Sequence, residues 1–219
     1  MRKWFRRVIY LAVTTVFSVA SAGSYDDFFI AIKRDDPAAI TALLRRGFDP
    51  NTPGPQGVVG LILAVREPSL KAADALLDWP KTNPEPRSAE DESPLMLAAL
   101  RGHTALAKKL IARGADVNKT GWAPLHYAAT SGHLEIMRML LENHAYIDAE
   151  SPNGTTPLMM AAHYGTPAAV KLLLDGGADA GLKNQIGLTA IDFAHRANRA
   201  ESAELIASSV RSAQPKGKW

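Results

Sequence analysis

The chain has 219 residues, 47% hydrophobic and 21% charged, with 25 Lys and Arg against 22 Asp and Glu and no cysteine. Such a composition can bury a core, and it excludes a disulfide framework, a thiol nucleophile and a thiolate metal site. Residues 1–22 hold four basic and no acidic residues, so the rest carries 21 basic against 22 acidic and offers no basic stripe for nucleic acid or an anionic membrane.

In chain order, Arg2, Lys3, Arg6 and Arg7 precede an apolar run from Val8 to Val19, and Ala20-Ser21-Ala22 follows as a small-x-small step. This reads as a secretory signal peptide, 1–22, cleaved after Ala22, because the run is shorter than the roughly 20 apolar residues a spanning helix needs. Phe5, Val8 and Ile9 fit the twin-arginine pattern poorly around Arg6-Arg7, so the general secretory route is expected. The expected product is a periplasmic or secreted chain without a stable membrane anchor.

Beyond that segment the sequence repeats. Ala31, Ala39, Ile40, Leu43, Leu44 and Gly47 outline a first copy over 24–51, and Ala64, Ala72, Ala73, Leu76 and Leu77 a second over 52–85. After Leu77, Asp78 to Pro86 carries prolines where a left-handed cap would stand, which predicts an extended, stiff connection. Copies over 86–118, 119–150 and 151–183 begin at Pro94-Leu95, Pro124-Leu125 and Pro157-Leu158, and each continues into an alanine pair: Ala98-Ala99, Ala128-Ala129, Ala161-Ala162. The starts are 30 and 33 residues apart, and Ala190-Ile191 opens a last copy, 184–210, after another 33. A period near 33 predicts a stacked-repeat solenoid. Residues 211–219 read as a disordered tail.

Each recurring residue has a local reason. Ser93-Pro94 and Thr156-Pro157 are helix starts, where a hydroxyl caps free N–H groups and Pro loses no bond, whereas Ala123-Pro124 lacks the capping oxygen. Gly102, Gly132 and Gly165 fall where the first helix ends and a positive φ is favoured. Second helices show apolar stripes at Leu106, Ala107, Leu110 and Ile111, at Ile136, Met137, Leu140 and Leu141, and at Ala169, Val170, Leu173 and Leu174. The last copy has polar Arg199 and Ser202 in its second helix, as expected of a cap. The short finger from Asn118 to Gly121 accounts for the interval of 30 and leaves a notch beside a longer finger.

Gly121 to His133, Gly154 to Gly165 and Gly114-Ala115-Asp116-Val117-Asn118 resemble the ankyrin repeat, whose signature is G-x-T-P-L-H-x-A-A-x-x-G-H with the close G-A-D-V-N. The resemblance implies an all-α ankyrin-repeat solenoid of helix-turn-helix units with hairpin loops, about six repeats counting degenerate caps. It also implies a partner protein, of open identity, held on the concave face by a chain that is a monomer alone. Contact positions carried over are the finger tips and the residues before the inter-helix Gly. Here these are Arg66, Glu67, Glu90, Glu92, Leu100, Arg101, Trp122, Thr130, Asn153, Thr155, His163, Tyr164, Gln185 and Arg196. Trp, Tyr and Arg dominate binding energy most often, which singles out Trp122, Tyr164, Arg101 and Arg66.

The remaining polar residues read as structural. His126 fills the T-P-L-H slot, and His103 and His133 open second helices; His163 is open to partner contact or plain solvent exposure. Asp116, Asp148 and Asp179 recur at closing turns, where a carboxylate bonds local N–H groups, and Met96, Met159 and Met160 suit core or groove lining. No nucleophile elbow, phosphate loop or paired metal spacing occurs, so neither an enzyme nor a cofactor is expected. The reading is an exported scaffold. Its alternatives are an immunity protein against a periplasm-acting toxin and an accessory factor of a stress-defence enzyme.

Overall fold

A computed structural model describes residues 23–213, so the signal segment 1–22 and the tail beyond 213 lie outside the described residues. The chain divides into two compact units, with the boundary between Glu90 and Asp91. Among the described residues there are twelve α-helices, one short 3-10 helix (Pro55–Gly57) and no strand beyond an isolated bridge between Pro53 and Val59.

The first unit holds α1 (residues 23–33), α2 (Pro37–Arg45), α3 (Gly60–Arg66) and α4 (Leu70–Asp78). Asp36 caps α2 by accepting from the Ala39 N–H at 3.0 Å, with Pro37 at the first helical position. Phe28 is fully buried and packs against Phe29 and Phe48. Gly60 stays bare there because a Cβ would stand 2.8 Å from Ile32 and 2.9 Å from Phe28. After α4 Trp79 is extended ahead of Pro80, but the connection is not extended throughout as its prolines suggest: it turns at residues 79–82, where the Thr82 N–H donates to the Trp79 carbonyl at 3.0 Å.

The second unit stacks four helix pairs: α5 (Pro94–Arg101) with α6 (Thr104–Ala112), α7 (Pro124–Ser131) with α8 (Leu134–Glu142), α9 (Pro157–His163) with α10 (Pro167–Asp175), and α11 (Ala190–Arg196) with α12 (Ala200–Ala213). First helices pack in the series α5, α7, α9, α11, and second helices in the series α6, α8, α10, α12. The alanine pairs are fully buried, which lets successive first helices approach closely, and Leu110, Ile136, Leu140 and Leu173 fill the layer behind them.

Three expectations need correction. Gly102 and Gly132 adopt left-handed φ values of 74° and 70°, but Gly165 does not. Helix α9 ends one residue earlier, Thr166 is extended ahead of Pro167 and caps α10, and Gly165 is required because a Cβ would press on Ala161 and on the Ala129 carbonyl. Asp148 does not bond its own turn; its carboxylate accepts from the Asp179 N–H of the next repeat at 3.1 Å. The equivalent of Asp116 in that turn is Tyr146, and Asp148 stands where the previous turn has Asn118. Ser202 faces inward at 2% exposure, so the polar cap is made by Glu201, Glu204 and Ser208 on the other side of α12. Arg199 precedes that helix.

Candidate functional site

Each first helix of the second unit is locked at its start by its third residue. Met96 Sδ accepts from the Ser93 N–H, Met159 Sδ from the Thr156 N–H, and Asp192 from the Thr189 N–H. In α7 this falls to His126, whose Nδ1 accepts from the Ala123 N–H at 3.1 Å. Nδ1 is therefore bare and the proton sits on Nε2, which donates to the Thr155 carbonyl at 2.9 Å. The ring is fully buried, and burial pushes its pKa down, so it stays neutral. His126 thus joins two repeats.

Beside this ring the first-helix face opens into a pocket of about 230 Å³ lined by Leu100, Trp122, His126, Tyr127, Thr130 and Met160. Trp122 is half-buried and meets His126 edge-on with ring centroids 5.2 Å apart. Thr130 Oγ1 donates to the His126 carbonyl at 2.7 Å. Burial first and then the hydrogen-bonded Glu92 carboxylate push the Tyr127 phenol up to about 12. The polar groups of the lining are satisfied internally, and the surface they leave is apolar. One donor stands apart: the Trp122 indole N–H has no hydrogen-bond partner among the described residues.

Tyr127 and Met160 were not among the contact positions carried over from the sequence. Both sit three residues after the first proline of their helix and meet the preceding repeats, Tyr127 through Glu92 and Met160 through the pocket it shares with Leu100, Trp122 and Thr130. Leu97 fills that slot in α5 but is buried.

The predicted contact residues fall into groups. Leu100, Trp122 and Thr130 line the pocket, Glu92 bonds its Tyr127, and Arg101 stands exposed at the end of α5. His163 Nδ1 donates to the Phe193 carbonyl at 3.2 Å and stacks edge-on with Tyr164, which is 56% exposed. Asn153 and Gln185 tie two fingers together: the Gln185 N–H donates to the Asn153 carbonyl and its side chain to the Pro152 carbonyl. Thr155 is a correction, since at 2% exposure its N–H is held by Ser151 and Asn153 and its carbonyl by His126, which leaves no surface for a partner. Arg196 is exposed on α11. In the first unit Arg66 and Glu90 pair with each other at 2.8 Å, and Glu67 is exposed at the end of α3. That pairing holds the Glu90 carboxyl below the usual carboxylate range.

Among the described residues no group of three or more His, Asp or Glu side chains could hold a metal ion, and no helix is long and apolar enough to cross a membrane.

Comparison with known proteins agrees with this architecture. The family description "Ankyrin repeats (3 copies)" matches residues 61–151, and "Ankyrin repeats (many copies)" matches residues 144–194. A mouse protein, ankyrin repeat and SAM domain-containing protein 6, is 36% identical over 119 residues, 52% of this chain and 13% of its own length. Neurogenic locus notch homolog protein 1 of Xenopus tropicalis is 28% identical over 179 residues, 74% of this chain and 7% of its own length. The chain therefore spans only a small part of these curated relatives. Among solved structures, the human ASB11 ankyrin repeat domain superposes with a TM-score of 0.75 at 27% identity, covering 87% of this chain and 86% of that one. An ankyrin repeat domain from Acinetobacter baumannii AYE superposes with a TM-score of 0.74 at 24% identity, covering 84% and 97%, which shows the fold alone.

Proposed function

The chain belongs to the ankyrin repeat family, and we propose that it is an exported scaffold that binds another protein on the concave first-helix face between Trp122 and Tyr164. The observation that supports this reading is the pocket beside His126. Apart from the Trp122 indole N–H, its polar groups are satisfied from within, while half-buried Trp122 and exposed Tyr164 offer large amphipathic rings at little conformational cost. The basic and apolar order of residues 1–22 supports export to the periplasm, with Gly23 as the new first residue. An immunity or accessory role would be a finer version of the same binding function.

Affinity purification from periplasmic extract, with Trp122→Ala and Tyr164→Ala beside the wild type, tests the surface. Calorimetric titration of the co-purified partner should show each variant weakened by about 2 kcal/mol or more, with thermal midpoints nearly unchanged. Wild-type binding by both variants moves the contact elsewhere. Intact mass on the same fractions tests export: a full-length chain in the membrane pellet contradicts it.

A further inference from the structure

The first helix pair has no repeat before it among the described residues, and one of its sides is open. Phe28 and Ile32 of α1 point toward Gly60 at the start of α3, while another side of α1 carries Asp27, Ile30, Ala31 and Arg34 in one helical stripe. With Asp36, Ala39, Ala42 and Arg46, from α2 and its two caps, these residues line an open groove of about 300 Å³. Ile30 is left 44% exposed.

Charge runs the same way along both helices. On α1 acidic Asp27 and basic Arg34 lie seven residues apart, about 10 Å of rise, with Ile30 and Ala31 between them. On α2 Asp36 and Arg46 stand at the two caps, with Ala39 and Ala42 between. Acid first and base last suits each helix's own dipole. It also makes each stripe the complement of itself read backwards: against an antiparallel copy Asp27 meets Arg34, Ile30 meets its own equivalent, and Asp36 meets Arg46. The centres of both stripes lie about one and a half turns from the connection between the helices, so one twofold axis across the face serves both. All four charged residues are exposed. Asp27, Arg34 and Arg46 make no side-chain hydrogen bond or ion pair among the described residues, and Asp36 engages only Oδ1, on the Ala39 N–H.

We propose that a second copy of this chain docks here, through a twofold contact in which α1 lies antiparallel to α1 and α2 to α2 of the other copy. Ile30 packs on its equivalent near the axis, where the alanines let the helices approach. Asp27 pairs with Arg34 of the other copy and Asp36 with Arg46, each pair occurring twice by symmetry. An unrelated protein would need the reversed charge order by coincidence, whereas a copy has it by construction. The contact departs from the monomer that the family resemblance implies, and it is independent of the surface beside Trp122.

Sedimentation equilibrium of the purified chain tests this, beside Asp27→Arg and Arg34→Asp, with a melting curve for each. The wild type should dimerise reversibly, and more weakly as salt rises, because exposed charges are screened. Each single variant sets like charges face to face twice and should raise the dissociation constant at least about tenfold. Mixed in equal amounts, the two variants regain opposite charges at both contacts, and association should return to within about threefold of the wild type. The chain carrying both changes keeps the pairs with their signs exchanged and should also dimerise, which serves if a single variant melts early. A wild type still monomeric at about 0.5 mM, where a Kd of about 1 mM would already show, overturns the proposal. So does a dimer that either single variant leaves intact, or one that neither the mixture nor the double change restores, since the contact then lies on another face.

Discussion

The closing turns 114–118 and 144–148 follow one backbone course with different side chains. In each, a buried alanine returns its N–H to the second helix: Ala115 to the Leu110 carbonyl at 3.0 Å and Ala145 to the Leu140 carbonyl at 2.9 Å. The left-handed position is Gly114 in one and His144, at a φ of 65°, in the other. Asp116 accepts from the Asn118 N–H at 2.8 Å, but Tyr146 in the same slot is 68% exposed and has no carboxylate to offer. Asn118 accepts from the Tyr146 N–H and donates to the His144 carbonyl, both at 2.7 Å. Asn51 of the first unit repeats that pattern with Asn83 and Lys81, whereas Asp148 can only accept. The difference teaches that the helices beneath fix the turn, and that the side chains on it set how firmly one repeat grips the next.

If the layer beneath carries the turn, removing it should cost far more than any change on the turn itself. Leu110→Ala and Leu140→Ala, both at fully buried sites, should each lower unfolding free energy by about 2–5 kcal/mol despite their different turns. Ile206→Ala, equally buried in the terminal pair, should fray α12 and leave exchange protection in α7 and α8 intact. Hydrogen exchange on the three variants distinguishes the cases. Uniform loss of protection in Ile206→Ala would contradict repeat-by-repeat stability.

Much of this frame was legible in sequence because its causes are local. Proline at 94, 124 and 157, the alanine pairs and the second-helix stripes each follow from helix geometry within a dozen residues, and they stand where they were expected. Apart from Ser202, which simply turns its side chain inward, the failures involve a neighbouring repeat. Gly165 answers to the Ala129 carbonyl, Thr155 to His126, and Asp148 to Asp179, partners some 30 residues away that no local spacing reveals. The candidate site shows the same limit: Trp122 was visible as an anchor by residue type and Met160 as core or groove lining, while Tyr127 emerged as a pocket wall only once α5, α7 and α9 were side by side.

A smaller effect should come from the left-handed position. His144→Gly relieves a side chain held at positive φ and should stabilise the second unit by about 1 kcal/mol, with Gly114→His costing a similar amount. Urea titrations of the two variants test this together. If neither moves the midpoint, the packing of the helices rather than the turn residue absorbs the strain.

An effect of similar size is the most diagnostic, because it depends on pH. Burial and the nearby Asp179 carboxylate raise the pKa of Asp148, only partly offset by the Asp179 N–H. A carboxyl whose folded pKa is raised favours folding when protonated. Its contribution is complete below the unfolded carboxylate value, near 4, and is lost as pH rises through the folded value. At neutral pH the junction between the fourth and fifth repeats therefore lacks it, and the Gly177 carbonyl lacks the amide donor that Asn118 gives His144. Asp148→Asn should supply that donor at every pH, stabilising the chain by about 1 kcal/mol at pH 7, with the advantage shrinking toward pH 4 as the wild-type carboxyl takes up its proton. Asn118→Asp should do the reverse at the preceding junction, losing a similar amount at neutral pH and recovering on acidification. Urea midpoints at both pH values decide it. A pH-independent difference for Asp148→Asn would mean that the carboxylate is fully solvated and that the two turns differ in shape alone.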